Sequence, residues 1–462
     1  MAQTFDAIIV GAGQAGPSLA GRLTDAGMKV ALVERKLFGG TCVNTGCTPT
    51  KTLVASAYAA HLARRSAEYG VVLGGSVDVD MKKVKLRQDT VVRASREGLE
   101  AWLGSMRNCV VYRGHARFES SRQVRVDDEL LTAERIFINV GGRANVPDLP
   151  GVGQVSYLTN TSLLQLDTLP RHLVIVGGSY VGLEFAQIYR RFGSEVSVVE
   201  MADRLIQRED PEVSAGVRQI LAAEGIQIRL DAECIRFEAR GPEVCVHVAC
   251  RSGEPQLVGS HVLLAVGRRP NTDDLGLETA GVEMDKRGYI VVDDQLRTSA
   301  QGIWALGDCN GRGAFTHTAY NDFEIVAANL LDHERRGVTD RIPAYALYTD
   351  PPLGRVGLTE VEARAAGKRV LVGFRPMTKV QRAVEKGETQ GFMKILVDAE
   401  TDLILGAAIL GTGGDEAIHG ILDAMYARAP YTTVQHAVHI HPTVSELIPT
   451  VLGELKPPRA NS

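Results

Sequence analysis

Two stretches of this chain carry the same unit, and that repeat constrains the fold more than any other feature. The first, "FDAIIVGAGQAG", is a short apolar strand followed by Gly11, Gly13 and Gly16; a helical stretch and the strand "KVALVE", ending at Glu34, come next. The second, "RHLVIVGGSYVGLEFAQIYRRFGSEVSVVE", repeats strand, Gly177 and Gly182, helix, and a strand ending at Glu200. Gly11 to Glu34 and Gly177 to Glu200 both span 23 positions. In such a unit the glycines permit a tight turn, a close approach of backbone to pyrophosphate, and helix-on-strand packing. The helix N-terminus faces the phosphates, and the acid takes ribose hydroxyls. Two copies predict two bound dinucleotides, or a duplicated scaffold with one degenerate copy. Ser179 stands where the middle glycine of the second copy belongs, but serine is small enough to leave the backbone approachable, so the site is kept.

The 462 residues allow two to four domains. "RIFINVGGRANVPDLPG" reads as a strand, a turn at Gly141-Gly142 and a proline-rich exit, which puts a boundary near 145. "HVLLAVGRRPNTDDLGL" repeats that pattern and puts another near 270. "RTSAQGIWALGDCN" is a strand ending at Gly307 and Asp308, where an aspartate can accept from ribityl or ribose hydroxyls. From about 343 the pattern changes: "GFMKILVDAETDLILGAAIL" reads as an antiparallel hairpin, with helices expected near 415–429 and 444–452 and a frayed tail "KPPRANS". The expected fold is α/β, with two Rossmann-like dinucleotide-binding domains and a C-terminal α+β domain. Its parts are 1–145 and 271–342 for the first dinucleotide domain, 146–270 for the second, and 343–462 for the last.

A net charge of −4 gives no bulk attraction for nucleic acid, and no apolar run is long enough to span a membrane. The N-terminus enters a strand directly, without a basic stretch or a small-residue cleavage site, so a cytoplasmic location is expected. Seven cysteines, an odd number, argue against a stapled secreted scaffold. Two of them, Cys42 and Cys47, stand five apart in "GGTCVNTGCTPTK". They are a redox pair, a metal site, or unpaired neighbours. Zinc needs C-x-x-C pairs with partners, and none is seen. Positions five apart on a helix point roughly 140° away from each other, so a bridge needs a distorted turn, which Gly46 can supply. A helix N-terminus there favours the thiolate. In "HIHPTVSELI", His441 stands five before Glu446, and a histidine oriented by a carboxylate moves protons near neutral pH. His439 reads as a decoy, and a metal site with His436 lacks nearby acids or cysteines. "MKKVKLRQ", with Arg93 and Arg96, reads as the solvated face of a long helix. Cys109, Cys234, Cys245, Cys250 and Cys309 read as small core or surface residues. No metal site is expected.

With these segments together, the chain resembles the class I pyridine-nucleotide disulfide oxidoreductases over nearly its whole length. It is nearest the mercuric reductase-like and reactive-chlorine-resistance flavoproteins. The carriers, in family order, are "GAGQAG", "GGTCVNTGCTPTK", "GGSYVGLE", "AVGRRPNTDDLGL", "GIWALGDCN" and "HIHPTVSE". The resemblance implies FAD on Gly11, Gly13, Gly16, Glu34, Thr41, Lys51 and Asp308. It implies a nicotinamide on the second fingerprint, Gly177, Gly182 and Glu200, with Gly40, Gly141 and Gly267 as further cofactor-binding residues. Cys42 and Cys47 become a dithiol/disulfide, with Cys47 on the flavin side and Cys42 exchanging with substrate. Lys51 and Glu184 resemble an ion pair beside the flavin, and Tyr180 resembles the residue that swings aside for nicotinamide. The resemblance further implies a homodimer in which His441 and Glu446 of one subunit complete the site of the other.

The expected reaction is NAD(P)H-dependent reduction of a small disulfide or other oxidised thiol compound. Two alternatives remain: a soft-metal-ion reductase, mercuric or cupric, and a low-turnover flavin redox sensor or complex subunit. No cysteine follows Cys309, whereas mercuric reductases end in a vicinal cysteine pair. Gly21-Arg22 replaces the two arginines usual in glutathione reductases. Glu200, followed by Met201, repels a 2′-phosphate, so NADH is favoured, although Arg204 lies near.

Overall fold

The computed structural model describes residues 3–249 and 254–458. Continuous apolar runs such as Ala7–Val10 and His172–Val176 are buried along their whole length, as parallel strands covered on both faces must be. The first run sits in a parallel sheet ordered Ile303–Ala305, Arg135–Ile138, Ala7–Val10, Val30–Glu34, Cys109–Arg113. The second sits in a parallel sheet ordered Gln227–Arg229, Glu195–Val199, His172–Val176, His261–Leu264. Each sheet therefore has the strand before its glycine turn between the strand that ends in the acid and a strand from later in the chain.

The two expected boundary segments find each other. Gly142–Ala144 and Arg268–Pro270 pair antiparallel, forming a two-stranded ribbon between the sheets. The last part of the chain holds an antiparallel sheet ordered Ala344–Leu347, Leu353–Gly357, Ile404–Leu410, Phe392–Asp398, Val370–Pro376, which contains the hairpin read from the sequence. It is fastened to the second dinucleotide domain by a buried charge network. Arg355 meets Glu209 at 3.1 Å and Asp210 at 3.2 Å, and Lys394 meets Asp210 at 3.1 Å and Glu360 at 2.8 Å.

The basic stretch at 81–88 begins the helix Met81–Ser105, capped by Asp80, whose carboxylate accepts from Lys83 N–H at 3.1 Å. Such a cap contributes about 1 kcal/mol. The strand before Asp308 stops at Ala305, and Asp308 lies in the single 3-10 turn Gly307–Asn310. The expected frayed tail needs correction at its start, where Lys456 exchanges both backbone hydrogen bonds with Val372; Arg459–Ser462 lie outside the described residues. Cys245 and Cys309 are buried and Cys109 is half-buried; Cys250 and the side chain of Cys234 lie outside the described residues. Among the described residues, no helix is long and apolar enough to cross a membrane.

Candidate active site

The two glycine turns are built alike to the atom. A Cβ on Gly11 would lie 2.3 Å from Asn139 O, and one on Gly177 would lie 2.4 Å from Ala265 O. Both contacts come from the residue just beyond the neighbouring parallel strand, and both glycines have positive φ, so no side chain fits at either place. A Cβ on Gly16 or Gly182 would in turn strike the carbonyl of Gly11 or Gly177, at 2.3 and 2.2 Å. The acids repeat too. Glu34 accepts from Ala12 N–H at 2.9 Å and Lys36 N–H at 2.7 Å; Glu200 accepts from Gly178 N–H at 2.6 Å and Ala202 N–H at 2.9 Å.

These residues fit the two dinucleotides. An ionised carboxylate has about four acceptor sites, and two backbone bonds leave about two for ribose hydroxyls. The helices Gly16–Asp25 and Tyr180–Phe192 start without a side-chain cap, so their first N–H groups are available to a pyrophosphate. Near the first turn, Asp308 stands 3.7 Å from Arg268, and burial pushes its carboxyl above the usual range while Arg268 opposes the shift. Thr41 Oγ1 lies 3.3 Å from the Arg268 guanidinium, which also donates to the Gly142 carbonyl. Gly141 and Gly267 lie at the mouths of the paired connectors; Asn271 N–H donates to Gly141 O and Asn145 N–H to Gly267 O, each at 3.0 Å.

The cysteines straddle a helix break. Gly40–Thr45 is one helix and Cys47–Arg64 the next, with Gly46 between them at φ −137°, ψ −117°. A Cβ on Gly46 would lie 2.8 Å from Thr41 O, so the break depends on glycine. It turns Cys42 toward Cys47 in place of the divergence a continuous helix would impose. Both cysteines are free thiols, and their side chains interact. The interaction with Cys42 is the main cause holding the Cys47 thiol down at about 6; burial opposes it, Thr316 and Lys51 assist, and Glu184 opposes. Cys42 is pushed above its ordinary range by the same interaction, then by burial and by the charge on Cys47. The couple thus carries one negative charge, on Cys47, and one proton, on Cys42.

Lys51 follows Cys47 by one helical turn, and its ammonium meets Glu184 at 2.7 Å. The Glu184 side chain is only 7% exposed, and its other oxygen accepts from Tyr348 N–H at 3.0 Å. Tyr180 stands one turn before Glu184 on the same helix, edge-on to Tyr345 and to Phe315, the residue next to Thr316. His441 Nδ1 meets Glu446 at 2.8 Å, with the imidazole 72% exposed. No hydrogen bond or ion pair among the described residues joins His441 to the cysteines of its own chain. Val438 and Ile440 in the same loop are bare, at 100% and 80% exposure. Among the described residues, His439 bonds only to Ala437 O, at 3.2 Å. Arg22, the residue weighed against a glutathione site, pairs with Asp332 at 2.8 Å.

Several residues at the site escaped the sequence reading. Thr316 comes from a helix 269 residues beyond Cys47, and nothing local marks it. Arg268 had a signal, since "LAVGRRP" repeats "INVGGRA" and places an arginine where the first copy has a glycine. Asn139, whose amide donates to Gly11 O at 3.2 Å, was visible in the same alignment.

The sheets, the paired glycine turns and the dithiol at a helix start define a flavoprotein disulfide reductase. Residues 5–322 match the pyridine nucleotide-disulphide oxidoreductase family and residues 343–452 match its dimerisation domain, and the chain belongs to this family. It is FAD-dependent and takes its electrons from NAD(P)H. Among its relatives is the probable pyridine nucleotide-disulfide oxidoreductase RclA of Escherichia coli, 36% identical, with 98% of this chain and 99% of that protein aligned. A dihydrolipoyl dehydrogenase of Thermus scotoductus is 34% identical, over 96% of each chain. A mercuric reductase of Bacillus cereus is 31% identical, over 94% of this chain and 70% of that one. A solved structure, the Cu(II) complex of the HOCl-induced flavoprotein disulfide reductase RclA from Escherichia coli, superposes with a TM-score of 0.89 at 35% identity, covering 98% of this chain and 99% of that one.

Proposed function

We propose that this reductase delivers two electrons from NADH, through Cys42 and Cys47, to a small disulfide or other oxidised thiol compound. The observation that carries this reading is the split character of the dithiol, a stabilised thiolate at Cys47 beside a proton-holding Cys42. Gly11, Gly13, Gly16, Glu34 and Asp308 would hold FAD, whose redox chemistry would link the nicotinamide to the Cys42–Cys47 disulfide. In the reduced couple, Cys42 needs a base, and His441 of the partner subunit, oriented by the partner subunit's Glu446, would be that base in a homodimer. The Cys42 thiolate then attacks the substrate disulfide; one sulfur–sulfur bond breaks, one forms, and the imidazolium protonates the departing thiolate. Cys47 next attacks the Cys42 sulfur, releasing the second thiol and restoring the protein disulfide. The sum is NADH, one proton and a disulfide giving NAD⁺ and two thiols.

Lys51, held by Glu184, supports the Cys47 side of the couple, and Thr41, Gly40, Gly141 and Asp308 belong to the flavin side. Glu200 favours NADH, because a carboxylate fixed by two backbone N–H groups repels a 2′-phosphate. We place the domain limits at 145, 270 and 342, and the enzyme in the cytoplasm.

A second reading has one observation in its favour, the Cu(II) complex of a relative 35% identical to this chain. In that reading soft metal ions are the substrate and Cys42 and Cys47 alone carry the electrons. Among the described residues, no cluster of three or more metal-ligating side chains supplies a resident site. The deciding experiment supplies the FAD-loaded enzyme with NADH and a panel of disulfides and of Cu(II) and Hg(II) salts. Turnover with a disulfide, abolished by Cys42→Ser, supports the first reading. Turnover with metal ions alone replaces it with the second. NADH oxidation that no acceptor stimulates contradicts both and leaves a redox sensor.

A further inference from the structure

Tyr180 is held by a residue shared with another tyrosine. Its hydroxyl donates to Glu209 Oε1 at 3.3 Å, and Tyr345 donates to the same oxygen at 2.7 Å. Glu209 Oε2 accepts from Arg355 Nε at 3.1 Å, and a second arm of Arg355 reaches Asp210 at 3.2 Å. Glu209 and Arg355 are 2% and 1% exposed, so the carboxylate is fixed from below and presents one oxygen to two phenols. Burial, then the charge on Glu209, pushes both phenols above their ordinary range, so each stays protonated and donates. The two rings meet edge to face, with centroids 5.5 Å apart and planes at 90°, and the Arg208 guanidinium lies 5.5 Å from the Tyr180 centroid.

Hydroxyl–carboxylate bonds that are not shared close to about 2.5–2.7 Å. Tyr345 makes such a bond, whereas Tyr180 is left with a long one. When Tyr180 swings away, Glu209 keeps Tyr345 and Arg355. Opening therefore breaks one weak bond and orphans no buried charge, which is the costly outcome elsewhere.

We propose that Glu209 and Tyr345 are positioning residues for Tyr180: Glu209 latches it over the nicotinamide site, and Tyr345, by occupying the same carboxylate oxygen, keeps that latch weak enough to release. This rests on the reading of Tyr180 as the residue that covers the site. A latch lowers the fraction of protein open to the nicotinamide, and the apparent dissociation constant rises in inverse proportion to that fraction. Removing the Tyr180 hydroxyl frees the ring; removing the Tyr345 hydroxyl gives the whole oxygen to Tyr180 and tightens it.

The test is calorimetric binding of NAD⁺ to the oxidised, FAD-loaded enzyme, which involves no turnover, joined to the limiting rate of flavin reduction by NADH in anaerobic stopped flow. Tyr180→Phe lowers the NAD⁺ dissociation constant about 3- to 10-fold and Tyr345→Phe raises it by about the same factor, while Tyr345→Phe keeps the limiting rate within about twofold. An unchanged constant in Tyr180→Phe, or one that does not rise in Tyr345→Phe, overturns the latch. Tyr180→Ala separates this from the underlying reading. If it too leaves NAD⁺ binding unchanged, Tyr180 does not cover the site; if it alone shifts binding, Tyr180 covers the site without the latch.

Discussion

Thr316 Oγ1 lies 3.3 Å from Cys47 Sγ, so the first residues of two helices, Cys47–Arg64 and Thr316–Leu331, meet at one sulfur. Each helix start carries partial positive charge, and each favours an anion at its first turn. The Lys51 ammonium adds to the same field. Together with the proton on Cys42, these groups make Cys47 the thiolate of the couple.

The sign of the pH dependence follows. A thiol lowered from 9.0 to about 6 is ionised at neutrality and becomes protonated as pH falls through about 6. After two-electron reduction under anaerobic conditions, the long-wavelength absorbance of a thiolate against flavin should be full near neutrality and half lost near that value. The Cys42 thiol is held above its ordinary range, first by its interaction with Cys47, then by burial and by the charge on Cys47. A midpoint near that of an ordinary thiol would contradict the arrangement.

Lys51→Met removes a cation that lowers the Cys47 pKa and leaves Glu184 without its ion-pair partner. The midpoint of the same absorbance titration should rise. Thermal unfolding should show a loss of about 1–2 kcal/mol, below the 3–5 kcal/mol of a fully buried pair because Lys51 retains some water. A double substitution, Lys51→Met with Glu184→Met, should recover part of the stability and bring the midpoint part of the way back, since Glu184 raises the Cys47 pKa.

His441→Gln should slow disulfide reduction by about 10²–10⁴-fold while leaving reduction of the flavin by NADH intact. Subunit mixing tests the sharing of the site. When Cys42→Ser and His441→Gln subunits are dissociated and recombined, half the dimers are mixed, and each mixed dimer regains one intact site, which gives roughly a quarter of wild-type activity. If both residues served the same subunit's site, recombination would restore nothing.

Glu200→Ser should reverse the cofactor preference. NADPH loses a repulsive carboxylate and NADH loses a ribose acceptor, so the ratio of kcat/KM for NADPH over NADH should rise at least about tenfold, or about 1.4 kcal/mol. Paired steady-state assays measure it. No change would mean that Glu200 does not reach the ribose.

The scaffold was legible in the sequence because its elements are locally determined. Gly11 and Gly177 have no substitute where a carbonyl lies within 2.4 Å of the missing Cβ, and the 23-residue distance to the acid follows from one strand–helix–strand unit. The break at Gly46 was legible for a similar reason, since two cysteines five apart cannot meet on an unbroken helix. Thr316, Glu209 and Tyr345 were not legible, because each meets its partner across a separation in sequence that no local pattern encodes. The helix Tyr431–Gln435 was also missed, being too short to show a period. His441 and Glu446 were legible as a pair five apart, whereas no hydrogen bond or ion pair among the described residues joins them to Cys42 within one chain.

The central claim is that the electron pair passes from flavin to Cys47 and leaves through Cys42. The most direct measurement is the long-wavelength thiolate–flavin absorbance of the FAD-loaded protein after anaerobic reduction, compared between Cys47→Ser and Cys42→Ser. The band should be lost in Cys47→Ser and kept in Cys42→Ser. A band that survives in Cys47→Ser and disappears in Cys42→Ser would contradict it.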